Sequence, residues 1–168
     1  MFSDNAQKLL QQHKSSAKLI WMAMTGSILL CGLATIYVIP NLSDQPAANA
    51  SDLESIFFGL SAITAVASVL LKNYFRSAAK LKSDLEKDFS PEKFARGKNG
   101  DIDESKLKQL ENMNSEEKAI FTVTRNQLLG SIVCWALNES IAIFGVIISY
   151  LSSSTVLALP FVIVALGL

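Results

Sequence analysis

The sequence predicts an all-α, polytopic membrane protein with four hydrophobic helices, and three observations predict it. Of the 168 residues, 50% are hydrophobic and only 18% are charged, below the quarter usual in a soluble domain. The apolar residues stand in long uninterrupted runs instead of recurring at helix or strand spacing, which is the pattern of bilayer spans. The 15 basic residues gather in two segments and are missing from the rest, as a fixed membrane orientation requires. Zero net charge argues against a nucleic-acid partner, and two isolated Cys with one His support neither a disulfide framework nor a zinc site. No metal or cofactor is expected, and the first partner is the lipid bilayer itself.

The chain reads as one membrane domain with spans at about 17–40, 55–72, 126–151 and 153–168. The first has no charge between Lys18 and Asp44. The second has 17 uncharged residues, from Ser55 to Leu71, about 25 Å at 1.5 Å per residue, so its helix is expected to overrun while Lys72 and Arg76 snorkel. The third is long enough for a tilted span and carries one acid, Glu139, near its middle. The last is short: Thr155 to Leu168 reaches about 21 Å against a core of about 30 Å. It begins a turn earlier, continues past Leu168, or ends as a re-entrant half-span. Pro160 stands inside it, where a membrane permits a kink or a broken helix because neighbouring helices can satisfy the freed carbonyl.

Orientation follows from the basic residues. Lys8, Lys14 and Lys18 precede the first span, and the other twelve, from Lys72 to Arg125, lie between the second and third. The N-terminus and the extension 73–125 are therefore expected on the cytoplasmic side, in a multi-pass protein of the bacterial inner (plasma) membrane. Ala48-Asn49-Ala50 has the small residues of a signal-peptide cleavage site, but the apolar stretch before it is too long and ends too early, so the first helix is expected to stay as an anchor. Asn41-Leu42-Ser43 and Asn49-Ala50-Ser51 fit the glycosylation pattern, which matters only in a secretory eukaryotic setting.

The extension 73–125 reads as a cytoplasmic helical hairpin with no core of its own. The second span is expected to continue as a helix to about Phe89. Ser90-Pro91-Glu92 reads as an N-cap with proline at the first helical position, and residues 97–101, with two glycines, as the hinge. Asn114 and Glu117 have capping-box spacing, opening a helix that runs through Arg125 into the third span. Asp101 to Asn112 fails as a calcium loop, because Lys106 stands where glycine is needed and Asn112 where a bidentate Glu is needed. Leu107, Leu110, Met113, Phe89 and Phe94 are spaced to pack the arms together or to meet a protein partner. The basic cluster from Lys72 to Lys82 suits anionic headgroups.

Within the membrane, Ala23, Ser27, Cys31 and Thr35 form a ridge of small residues, and Gly59, Ser61 and Ala65 in the second span and Gly145 in the third offer the same close approach. Cys31 and Cys134 read as small hydrophobes, and His13 as solvated. Glu139 is different. A carboxylate at mid-membrane costs about 3 kcal/mol on insertion scales, and no Lys, Arg or His lies in the interior of any predicted span to neutralise it. Burial penalises only the ionised form, so this side chain is expected to rest protonated or to hold a cation. Asn138 and Ser140 flank it as candidate proton or cation ligands.

The run Ala136-Leu137-Asn138-Glu139-Ser140-Ile141-Ala142-Ile143-Phe144-Gly145-Val146-Ile147-Ile148 resembles the ion-carrying helix of the c subunits, or proteolipids, of rotary ATP synthases and ATPases. There a mid-membrane carboxylate precedes an Ile-aromatic-Gly-aliphatic run. The resemblance implies that Glu139 is a proton or sodium carrier and that the second span is a tightly packed inner helix. The rest of the chain departs from that family: a long charged connection replaces its short polar loop, and the acid stands in the third span.

Two functions are therefore expected in competition. One is a proton- or cation-binding subunit of a membrane transport or ion-driven assembly, working as a homo- or hetero-oligomer. The other is a structural or assembly subunit whose hairpin docks a protein partner. An enzyme is not expected, because the spans supply one acid and no His or Lys to activate a nucleophile.

Overall fold

The computed structural model describes residues 4–37, 50–96 and 100–168. Its elements are helical: α1 (Asp4–Tyr37), α2 (Ala50–Arg76), α3 (Ala78–Leu85), α4 (Pro91–Ala95), α5 (Glu104–Glu111), α6 (Ser115–Ser152), a 3-10 turn (Thr155–Leu157) and α7 (Ala158–Gly167). Among the described residues the only β contact is an isolated antiparallel bridge between Arg96 and Ile102. Three stretches, Gln7–Tyr37, Asp52–Arg76 and Ser115–Ser152, are long and apolar enough to cross a membrane, while Thr155–Gly167 is apolar but shorter. Asn41 to Asn49 lie outside the described residues, and with them the candidate cleavage and glycosylation sequences. The chain forms two compact units: one joins α1 up to Lys18 with Tyr74–Leu129, the other joins Leu19–Asn73 with Gly130–Leu168.

The second unit is apolar and turned inside out. Large side chains such as Leu30, Ile63 and Ile163 are more than 60% exposed, while Thr35, Ser61, Ser68, Asn138 and Ser149 are buried. An apolar surface of this extent does not persist in water, and small or polar residues at helix contacts are the membrane pattern. The chain is an all-α membrane protein. The unit's core joins Ile28 of α1, Ile141, Ala142 and Ile148 of α6, and Phe161, Val162 and Ala165 of α7.

Gly145 and Gly32 admit α7 to this bundle. A Cβ on Gly145 would lie 2.6 Å from Phe161 Cβ, and one on Gly32 would lie 3.5 Å from Val162 Cγ1. With 10 residues, α7 is about 15 Å long, against a core of about 30 Å. The permitted break lies before Pro160, in the turn that ends α6. Leu157 caps α7, which puts Pro160 in the first turn, where its missing N–H has no intrahelical acceptor to lose.

The corner before α7 is a Schellman turn. Ser153 adopts φ +51°, and the Ser154 and Ser153 amides donate to the carbonyls of Ser149 (3.1 Å) and Tyr150 (3.4 Å), the paired bonds that close such an end. The Ser152 hydroxyl donates to the Ile148 carbonyl at 2.6 Å.

The first unit corrects the hairpin in two ways. The helix expected to run to Phe89 stops at Arg76, because Ser77 is extended (ψ 143°) and caps a new helix. Its hydroxyl donates to the Tyr74 carbonyl at 2.7 Å and accepts from the Lys80 amide at 3.2 Å, the local competition with helix bonds that serine offers. The segment also has a core: Leu9, Ala95, Leu110, Met113 and Phe121 are buried together, with Phe89, Phe94 and Leu107 packed on them. Of these only Leu9, from α1, comes from outside the segment; Phe121 belongs to the part of α6 within it. Phe94 stands edge-on to Phe121 with centroids 5.6 Å apart, and the Arg125 guanidinium lies 4.6 Å from the Phe94 centroid, a cation–π contact.

His13 is not solvated as expected. It is half-buried one turn after Leu9, edge-on to Phe121 with centroids 5.0 Å apart. That burial, followed by the charges of Lys106 and Arg125, lowers its pKa from the ordinary value.

Other local signals appear where the sequence places them. Asn114 Oδ1 accepts from the Glu117 amide at 2.8 Å while Glu117 Oε2 accepts from the Asn114 amide at 2.9 Å, a complete capping box. Pro91 opens α4 behind Ser90, whose hydroxyl makes no cap bond. Gly97, Lys98 and Asn99 of the hinge lie outside the described residues, and Gly100 takes φ +87°. Asp103, in the rejected calcium loop, caps α5 by accepting from the Lys106 amide at 3.1 Å. Asp84, with only 3% of its side chain exposed, receives Lys80 Nζ at 2.6 Å and Lys87 Nζ at 2.7 Å. Burial works to raise the Asp84 carboxyl, but the two lysine bonds outweigh it and hold its pKa below the ordinary value.

Candidate functional site

Glu139 sits midway along the uncharged part of α6, 14 residues after Arg125 and 13 before Ser152, about 20 Å from each. Successive helical residues point about 100° apart, so Asn138 and Glu139 reach different neighbours. The Ser27 hydroxyl of α1 is hydrogen-bonded to Glu139 Oε1. Ser27 is itself central, nine residues after Lys18 and ten before Tyr37. The Ser68 hydroxyl of α2 donates to Asn138 Oδ1 at 2.7 Å, with both residues buried. The Cys134 thiol, one turn before Asn138, donates to the Ser68 carbonyl at 3.8 Å.

Glu139 is half-buried, and among the described residues no Lys, Arg or His forms an ion pair with it. The basic residue nearest in register is Lys72, one turn beyond Ser68. Its ammonium donates to the Leu168 backbone oxygen. The acid is thus held by a hydroxyl, a partner that can donate to the ionised form and equally accept from or donate to the neutral one. The chemistry available here is gain or loss of one positive charge at a single carboxyl. Among the described residues there is no group of three or more His, Cys, Asp or Glu able to hold a metal ion.

Of the two flanking candidates, Asn138 Oδ1 accepts from Ser68, and the Ser140 hydroxyl donates to the Ala136 carbonyl of its own helix at 2.9 Å. The hydrogen bond to the Glu139 carboxyl comes instead from Ser27. The small-residue ridge of α1 divides: Ser27 bonds Glu139, Cys31 packs on the core, and Thr35 is buried with its hydroxyl on the Cys31 carbonyl at 2.9 Å. Ala23 is exposed. In α2, Ser61 is buried and donates to the Phe57 carbonyl at 2.8 Å, and Ala65 packs on the core. Gly59 is exposed, and a Cβ there would meet nothing within 4 Å, so it gives no close approach within this chain. Gly145 is where close approach is tightest.

Sequence reasoning misses two participants. Ser27 is read as a packing residue, although a hydroxyl near the centre of one span is a natural partner for an acid at the centre of another. Ser68 is one of several small side chains in α2 with nothing local to distinguish it. Comparison with protein-family models, with curated proteins and with solved structures gives no match.

Proposed function

We propose that this chain is a non-enzymatic membrane subunit whose Glu139 carboxyl takes up and releases a proton or a small cation within the hydrocarbon layer, as part of an oligomeric transport or ion-driven assembly. The observation that carries this is the Ser27–Glu139 hydrogen bond at mid-helix, made without a basic partner among the described residues. A purely adhesive acid is hard to justify, since an interhelical hydrogen bond is worth about 1 kcal/mol and the buried carboxylate costs about 3. An acid that alternates between a loaded neutral form and an ionised form repays that cost in function. The resemblance of residues 136–148 to the ion-carrying helix of proteolipids supports the same role. By the distribution of Lys and Arg, α1 up to Lys18 and residues 73–125 face the cytoplasm.

A second reading is a structural or assembly subunit, favoured by the buried cluster around Phe121, which would give residues 73–125 a firm platform for a protein partner. The Glu139→Gln variant separates the two. It keeps side-chain size and the bond to Ser27 but cannot change charge. Purified into vesicles, it is expected to assemble as the parent does while losing pH- or cation-dependent ion flux. Unchanged assembly and flux would sink the ion reading, and loss of assembly with flux retained per assembled complex would establish the structural one.

A further inference from the structure

We propose that His13, Lys106 and Arg125 together bind a phosphate group, carried by an anionic lipid headgroup or met as free phosphate. The three side chains come from α1, α5 and α6, and all belong to the unit that joins α1 up to Lys18 with Tyr74–Leu129. Each stands about one helical turn from a buried member of one core: His13 after Leu9, Lys106 before Leu110 and Arg125 after Phe121. A chain of rings ties two of them to one place. His13 is edge-on to Phe121 at 5.0 Å, Phe121 is edge-on to Phe94 at 5.6 Å, and the Arg125 guanidinium lies 4.6 Å from the Phe94 centroid. All three basic residues are half-buried.

Cations gathered at the edge of a core repel one another, and partial burial weakens the screening that would relieve them. The repulsion is felt at His13: besides its burial, the charges of Lys106 and Arg125 act against the imidazolium. Neither Lys106 nor Arg125 makes a salt bridge among the described residues. The acids of the packed elements are engaged elsewhere or turned to solvent. In α6, Glu117 closes the capping box with Asn114, and Asp103 caps α5. Glu92 of α4 and Glu104 and Glu111 of α5 are exposed. Of the other cations, Lys14 of α1 and Lys93 of α4 are exposed, and the Lys118 ammonium donates to the Glu111 carbonyl at 3.1 Å.

A phosphate group suits what is left. Its oxygens point in tetrahedral directions and can accept from three helices at once. Arg125 offers a planar fork of donors, Lys106 a compact charge, and protonated His13 a donor at either ring nitrogen. Lys18, five residues after His13, is the last charge before the apolar run of α1, and Arg125 is the last before that of α6 until Glu139. Both helices thus carry the cluster to the margin of an apolar run, where headgroup phosphates are found. Protonation of His13 and anion binding then favour each other by the same factor.

His13 is the single histidine of the chain, so its ring C–H signal is an unambiguous NMR reporter. The full chain in uncharged dodecyl maltoside micelles is titrated from pH 5 to 8 with dioctanoyl phosphatidic acid or with inorganic phosphate. The measured His13 pKa is expected to rise by about one unit, saturating at one lipid per chain, with affinity about tenfold weaker above the titration than below it. Lys106→Gln and, as a second variant, Arg125→Gln should each remove most of that rise, and Lys106→Gln should raise the starting value by taking away a like charge. Lys108→Gln, exposed on α5, should leave both unchanged. A rise with phosphatidic acid alone supports a headgroup site, and a rise with inorganic phosphate as well supports a site for phosphate itself. No rise with either probe would overturn the proposal. So would a rise that never saturates and persists in Lys106→Gln, because that is only attraction to a charged micelle.

Discussion

Ser68 and Asn138 are tied across two helices by a 2.7 Å hydrogen bond, with 1% and 4% of the residues exposed. Removing either partner leaves the other's polar group buried and unpaired. In a double-mutant cycle with Ser68→Ala and Asn138→Leu, the coupling is expected at about 0.6 kcal/mol and below about 2 kcal/mol, the range for interhelical bonds in bilayers. Reversible unfolding in mixed micelles measures it, and additive single variants would show that the bond contributes nothing.

Gly145→Ala is expected to destabilise the apolar unit by about 1–3 kcal/mol, as overpacking does. The offending contact is with Phe161 Cβ itself, at 2.6 Å. Phe161→Ala keeps that atom and should not rescue the variant, whereas Phe161→Gly should recover part of the loss. Thermal unfolding of the three variants in one detergent decides it.

Asn114→Ala removes one half of the capping box and is expected to cost about 1 kcal/mol, with Asn114→Ser retaining most of the stability. Faster amide exchange confined to the first turn of α6 would be its signature. The Asn114 and Glu117 pair is legible in the sequence because both partners lie within one turn, so a four-residue string contains the whole interaction. The same holds for Pro91 and for the uncharged spans. What is not legible depends on distant residues. Ser68 and Asn138 are 70 positions apart, and no local pattern selects one hydroxyl of α2 over its neighbours. The core around Phe121 is missed because Leu9 reaches it from before the first span, and the break at Ser77 because one hydroxyl outcompetes a stretch of good helix formers.

His13 gives the polar unit a pH dependence near neutrality. Its folded pKa lies below the unfolded value of about 6.5, so the unfolded chain binds the proton more readily and stability rises with pH. The contribution is complete above the unfolded value and is lost as pH falls through it toward the folded one. Asp84 acts in a separate acid window: its folded pKa is depressed from 3.8, so its contribution is lost only as pH falls below that value. His13→Gln should flatten the first window and leave the second. Hydrogen exchange at the buried Phe121 amide, followed from pH 8 to 5, checks this, and an unchanged profile in the variant would exclude His13 as the cause.

The Schellman corner at Ser153 bears on where the end of α6 can reside. With the Ile148, Ser149 and Tyr150 carbonyls all capped from within the chain, the reversal needs few solvent molecules to satisfy its backbone. It can therefore be submerged below the headgroups, where α7 lies against α6 through Phe161 and Gly145.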